Sequence, residues 1–310
     1  MERKWNVPEE IAALCARLRR GGYAAYPVGG AVRDLILGRE PGDWDVATAC
    51  PPAMTAALFG AAARPTGLAH GTVTVDTAAG SVEVTTFRQE GPYSDGRRPD
   101  WVRFVRELFY DLARRDFTMN AMALDIDGTL IAPFGGESDL RSGIIRTVGD
   151  PELRLKEDSL RIFRGVRFCA QLGMELGEAE RRTIAAHPEW GDPASPERVR
   201  AELEKGLCAR APERLEVLFE AGLMERFTDG RAVPDLSGLK YKAAQPAARW
   251  GELCVALLDC GAVQDPEEFL RRLHMDRRTR VNALTYLPGT TKKNILQRET
   301  KNSPAMGGMA

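Results

Sequence analysis

The 310-residue chain has no pair of cysteines spaced C-x-x-C, no long apolar run and almost no net charge. Its six cysteines, at 15, 50, 169, 208, 254 and 260, are scattered and mostly lie in apolar surroundings. That excludes a C-x-x-C redox or metal motif and reads as reduced core thiols of a cytosolic protein. No stretch reaches the length of a membrane span, and Met1-Glu2-Arg3-Lys4-Trp5 has no apolar signal core. A soluble, cytoplasmic protein with no membrane partner is therefore expected. With 43 Lys and Arg against 44 Asp and Glu, the net charge is −1, so no global field draws nucleic acid and any RNA contact must be local. What is present is enough apolar residue, 44% of the chain, to fill two or three small cores.

The spacing of Ile11, Leu14 and Leu18 predicts an opening helix that stops at Gly21-Gly22. Tyr23 to Val28 reads as a strand running into Gly29-Gly30, and Val32 to Leu37 as a short helix closed by Gly38. Thr72 to Asp76 and Ser81 to Phe87 alternate at period two around Ala-Ala-Gly, a hairpin signal. Residues from about 20 to about 135 thus form a mixed α/β unit with a small, largely antiparallel sheet. From about 150 onward strand signals vanish, and leucine- and arginine-rich helical periodicity takes over. It is broken at Gly149-Asp150-Pro151, Gly191-Asp192-Pro193, Gly206 and Gly222. The end, after Leu287-Pro288-Gly289, is polar and weakly patterned and reads as disordered.

Chemistry concentrates in four places. In Gly42-Asp43-Trp44-Asp45-Val46, strand alternation turns both carboxylates to one face and Trp44 and Val46 to the other. Two such carboxylates make a hard oxygen site suited to Mg²⁺ and triphosphate; the plain alternative is a solvated turn. Gly29-Gly30 just upstream lets backbone amides approach phosphate, at the start of a helix whose dipole favours an anion. Glu83, on the hairpin's second strand, is either a third carboxylate for that site or an exposed strand residue. Arg114-Arg115-Asp116-Phe117-Thr118-Met119-Asn120 can grip a triphosphate and ribose hydroxyls, or merely begin a helix with Asp or Thr as its cap.

Asp158 and Arg161 are expected at i and i+3 on one helix face. An ionised Asp only accepts and an Arg only donates. Cytosine and adenine offer an amino donor beside a ring acceptor; guanine and uracil offer the reverse. The pair therefore accepts C and A and leaves groups unpaired against G and U, unless it is only a surface salt bridge. Arg164 lies one step along the same row, while Arg167, nine residues from Asp158, falls half a turn away. Between the hairpin and the arginine pair runs Arg88 to Asp100, a long polar loop whose Arg97 and Arg98 could touch nucleic-acid backbone.

In this order and spacing, GGAVRD…GDWDVAT, HGTVTV…VEVTTFR, YSDGRRP, RRDFTMNA, VGDPELRLKEDSLRIFRGVRF and SPERVRAEL resemble the bacterial-type (class II) tRNA nucleotidyltransferase and poly(A) polymerase family, from about residue 20 to about 280. The resemblance implies an α+β architecture: a polymerase-β-like nucleotidyltransferase head with a small mixed or antiparallel sheet, then an all-helical neck and body. The boundaries are a head at 1–147, a neck with a base-reading helix at 148–206, an RNA-binding body at 207–287 and a tail at 288–310. It implies Mg²⁺ on Asp43 and Asp45, nucleotide contacts from Gly30, Arg33 and Arg115, and ribose recognition around Asp116. Base selection is implied for Asp158 and Arg161, supported by Arg164 and Arg167.

Thr66 to Val73 looks like the CCA-adding branch, without the arginine-rich segment of the poly(A) polymerases, and the full Tyr93 to Pro99 loop argues against a CC-only enzyme. The function implied is untemplated addition of CMP, CMP and AMP, from CTP and ATP, to the tRNA 3′ end. A-only or poly(A) addition is the sibling alternative, and an RNA-binding protein without turnover the alternative of another class. Relatives continue through a helical tail that grips the tRNA elbow, so a truncated or frameshifted copy is expected. Arg271, Arg272, Arg277, Arg278, Arg280, Lys292 and Lys293 then either bind RNA backbone in its place or are solvated.

Overall fold

The computed structural model describes residues 4–68, 71–78, 80–94, 96–239 and 245–291. His70, Asp95, Lys292, Lys293 and the expected disordered stretch from 292 lie outside the described residues. The chain divides into two compact units, Met1–Asp158 and Ser159–Ala310, so residues 148–158 of the expected neck belong to the first.

In the first unit α1 (Glu9–Arg20) buries Ile11, Leu14, Cys15 and Leu18 along one stripe. Acidic residues in its first turn and arginines in its last agree with the helix dipole. It is followed by β1 (Ala25–Val28), α2 (Gly30–Ile36), β2 (Asp45–Thr48) and α3 (Pro52–Phe59). Next come β3 (Ala63–Gly67), β4 (Thr72–Thr77) and β5 (Gly80–Thr86), the last two forming the expected hairpin. A ribbon of β6 (Arg88–Glu90) and β7 (Val102–Phe104) leads to α4 (Leu108–Ala113). Residues 88–90 are thus strand rather than loop, because Arg88 and Glu90 pair with Phe104 and Val102. A 3₁₀ turn at Thr118–Asn120, β8 (Ala123–Leu124), β9 (Leu130–Ile131), α5 (Gly136–Ser142) and α6 (Pro151–Glu157) complete the unit.

Seven strands form one sheet in the order β3-β4-β5-β2-β1-β8-β9, antiparallel except for the parallel β2/β5 pair. Alternation splits the sheet's side chains between two cores. Val46, Val73, Val75, Val82 and Val84 join α1 and Phe59; Val28, Ala47 and Ala123 join Phe87 and Leu112. Trp44 packs with Val46 in the first core.

The second unit is carried by α7 (Leu160–Leu172), α8 (Glu178–Ala186), α9 (Pro196–Leu207), α10 (Glu216–Glu220), α11 (Pro246–Asp259), α12 (Pro266–Arg272) and α13 (Arg277–Leu284). One two-residue strand, Glu175–Leu176, departs from the all-helical expectation. Proline at the first turn of α9, α11 and α12, and aspartate caps on α12 and α13, set the helix starts. Trp250, fully buried, donates its indole N–H to Glu204 and ties α11 to α9. Cys15, Cys50, Cys169 and Cys254 are buried free thiols as expected, whereas Cys208 is exposed. Among the described residues no helix is long and apolar enough to cross a membrane.

Gly136 shows how tightly α5 meets the 3₁₀ turn: a Cβ there would lie 2.2 Å from the Thr118 carbonyl oxygen. Gly136→Ala is expected to lower the unfolding free energy by about 1–3 kcal/mol. Gly42→Ala, at a position with open space around it, should leave urea denaturation unchanged. Equal midpoints for the two variants would refute this packing.

Candidate active site

The site in the first unit is built around the turn between β1 and α2. Gly29 adopts φ +77°, a conformation glycine alone takes at little cost, and donates its N–H to the Met122 carbonyl. A Cβ there would lie 2.9 Å from Arg115 Nη1 and 3.8 Å from Asp45 Oδ2. Glycine is thus required twice, for its backbone angle and for the approach of two opposite charges. Gly30 starts α2 beside the Arg33 guanidinium, so the helix begins two residues earlier than its apolar pattern suggests.

Asp45 is the first residue of β2, opposite Val28 on β1 and in register with Glu83 on β5. Asp43 lies outside the strand, exposed in the bend before it, so the two aspartates are not alternate residues of one strand. Pro41 and Gly42 disfavour pairing there, and β2 begins where Asp45 meets Val28. Glu83 is exposed on β5 and in register with Asp45 across the β2/β5 pair. Burial pushes the Asp45 carboxyl up to about 6; Arg115 opposes the rise, while Glu83 and Asp43 add to it. Three carboxylates are thus electrostatically coupled around a partly buried oxygen pair.

That donor set fits a hard divalent cation, which would offset the mutual repulsion it now carries. Among the described residues no three His, Cys, Asp or Glu side chains are gathered closely enough to hold a metal ion by themselves, so Asp43, Asp45 and Glu83 do not form a three-carboxylate cluster.

The arginine pair splits into two roles. Arg115 donates Nη2 to Asp111 at 3.2 Å and Nη1 to the Asn120 carbonyl at 3.3 Å, leaving its guanidinium over Gly29. Arg114 turns away and pairs with Asp111 and Glu90, so the two do not grip one ligand together. Asp116 accepts from the Phe117 N–H and from the Asn120 side-chain amide. Asn120 Oδ1 accepts from Arg33 Nη1 at 2.8 Å, and Arg33 also pairs with Asp34. Gly29, Gly30, Arg33, Asp45, Arg115 and Asp116 are therefore one hydrogen-bonded and electrostatic neighbourhood with Asn120 at its hub.

Asp111 and Glu90 belong to that neighbourhood although no motif marked them. Asp111 is fully buried, and burial raises its carboxyl, but Arg114 and Arg115 outweigh this and hold it below the usual range. Its spacing to Arg114 and Arg115, i,i+3 and i,i+4 in Asp111-Leu112-Ala113-Arg114-Arg115, is the signal that could have found it.

Asp158 is not on a helix. It is extended (φ −141°, ψ 103°) at the end of α6, and α7 begins after Ser159; Asp and Ser compete locally with helical hydrogen bonds and mark such breaks. The i,i+3 helical spacing and the half-turn objection to Arg167 both assumed an unbroken helix through Asp158, and that premise does not hold. The unit boundary falls between Asp158 and Ser159. Arg161 is buried in the first turn of α7, and Arg164 lies half-buried near the Phe168 ring. Arg167 donates to Glu202 on α9 and to Gln171 and lies 3.6 Å from the Phe168 ring centroid. Of the basic run in the body, Arg271 pairs with Glu267, Arg272 with Asp229, and Arg280 donates to the Met275 carbonyl.

The mixed sheet with its carboxylate-lined β2/β5 pair, followed by a helical unit, defines a polymerase-β-like nucleotidyltransferase head on a helical body. The family model described as the poly A polymerase head domain matches residues 25–146. The chain is 43% identical over 270 residues to the CCA-adding enzyme of Geobacillus thermodenitrificans (strain NG80-2), covering 85% of this chain and 65% of that protein. The corresponding protein of Geobacillus stearothermophilus is 42% identical over 275 residues, with the same shares. The crystal structure of the Bacillus stearothermophilus CCA-adding enzyme in complex with CTP matches with a TM-score of 0.76 at 37% identity, over 94% of this chain and 70% of that one. The chain belongs to the CCA-adding enzyme family. It spans 65% of the length of those two curated relatives.

Asp45 carries a pH prediction. Unfolded, its carboxyl titrates near 3.8; folded, near 6. Between those values the folded state alone holds the proton, so stability falls as pH rises through the window and stays lower above it. Asp45→Asn should therefore stabilise the metal-free protein at pH 7.5 by on the order of 1–2 kcal/mol, discounted for partial exposure, and give nothing below pH 4. A gain that is the same at both pH values would contradict the assignment of the shift to Asp45.

Proposed function

We propose that this protein is a tRNA nucleotidyltransferase that adds CMP, CMP and AMP to the tRNA 3′ end from CTP and ATP. The observation that carries the reading is Asp45: a partly buried carboxylate beside Glu83 and opposed by Arg115 over a glycine turn, in a chain of the CCA-adding enzyme family. Asp43 and Asp45, with Glu83 adjacent, would hold Mg²⁺, which lowers the pKa of the attacking hydroxyl and neutralises the departing pyrophosphate. The protein's own part is positioning and electrostatics. Gly29 and Gly30 leave room for phosphate oxygens against the backbone, and Arg115 supplies fixed positive charge there. Asp116 and Arg33, joined through Asn120, present donors and acceptors suited to ribose hydroxyls. Asp158 and Arg161 select the base by accepting and donating toward C and A, and Arg164 and Arg167 support them.

Incubation with a tRNA lacking CCA and each nucleoside triphosphate tests this. CMP and then AMP incorporation supports it; AMP alone on a tRNA ending in CC assigns the A-adding sibling activity. Binding of tRNA without any incorporation leaves an RNA-binding protein. Asp45→Ala should cost more than about 10²-fold in incorporation, the scale of losing one electrostatic element of a polar site, with far-UV circular dichroism unchanged. Asp158→Ala and Arg161→Ala should admit UMP or GMP; unaltered base selectivity in both would sink the base-reading assignment.

A further inference from the structure

We propose that Asp111 is a positioning residue of the nucleotide site, holding Arg115 so that Arg115 faces an incoming phosphate without closing onto Asp45. The inference rests on the reading of Arg115 as a nucleotide ligand. The difficulty it resolves is electrostatic. Arg115 lies against the turn that Asp45 Oδ2 also approaches, and a guanidinium that close to a partly buried carboxylate would ordinarily form a two-pronged ion pair with it. Such a pair would occupy the oxygens needed for a cation and the donors needed for phosphate. Yet among the described residues Arg115 forms its ion pair with Asp111.

Asp111 is built for this. It sits on α4 with its side chain 1% exposed. Its two oxygens are divided: Oδ2 accepts from Arg115 Nη2, and Oδ1 accepts from Arg114 Nε and Nη2 and from the Arg88 N–H. The division fixes the carboxylate plane, and with the Asn120 carbonyl on Nη1 it fixes the guanidinium at two points. The Nε of Arg115 is buried without a hydrogen-bond partner, so the orientation is not the one that satisfies the arginine best. It is set by the two terminal nitrogens. Arg114 has a separate anchor in Glu90, which also accepts from Arg88 Nε and the Tyr93 hydroxyl.

The experiment is a double-mutant cycle on equilibrium binding of CTP with Mg²⁺ to the full chain. Asp111→Asn keeps the size of the side chain and removes its charge. Asp111→Asn and Arg115→Ala should each weaken CTP binding by about tenfold, and the double variant should be no weaker than Arg115→Ala alone. Should Asp111→Asn fail to fold, Asp111→Glu keeps the charge, displaces it, and should show the same non-additivity with Arg115→Ala at a smaller loss. Losses that multiply, or an Asp111 variant that binds CTP like the wild type, overturn the inference while leaving the nucleotide site standing. A wild-type protein that binds no CTP overturns the nucleotide-site reading, and the inference falls with it.

Discussion

The arrangement of the first unit turns on the placement of one guanidinium. Arg115 is the positive charge that opposes the rise of the Asp45 pKa, a rise to which burial, Glu83 and Asp43 contribute. Around it the fold supplies three supports. The β2/β5 register brings Glu83 against Asp45. The positive φ of Gly29 clears the space that a side chain would fill. Asp111 and the Asn120 carbonyl hold the arginine at both terminal nitrogens. Loss of Arg115 would leave like charges facing one another in a partly buried site, a cost that a bound cation would offset.

The same logic explains why the residues around Asp116 form a chain rather than a set of free donors. Asp116, Asn120, Arg33 and Asp34 are linked end to end, so each side chain's orientation depends on the next. A network whose members are mutually satisfied is ordered before any ligand arrives, which lowers the entropy to be lost on binding. In the second unit Arg167 is similarly anchored, by Glu202 of the SPERVRAEL segment, and that pairing links α7 to α9.

Much of this was legible in the residues. The α1 stripe, the β4/β5 hairpin and the glycine turn followed from periodicity and from the few conformations glycine uniquely allows. The Asp45, Gly29 and Arg115 grouping was legible as separate motifs, and their convergence required the family resemblance. Three features were not legible, for separable reasons. Asp43 left the strand because pairing with β1 begins only at Asp45, a boundary that alternation does not show. Asp158 left the helix because local competition by Asp and Ser outweighed the periodicity on either side. Arg114 left the site because Asp111, buried on α4, and Glu90 claimed it; the i,i+3 and i,i+4 spacing marks the pairing with Asp111 but does not show which arginine turns away.

The most direct test of this electrostatic account is the titration of the Asp45 side-chain carboxyl by carbon-detected NMR, without ligand and then with Mg²⁺ and CTP. The account predicts a midpoint near 6 in the free protein, falling well below that when cation and nucleotide are present. A midpoint in the ordinary aspartate range without ligand, unmoved by Mg²⁺ and CTP, would contradict it.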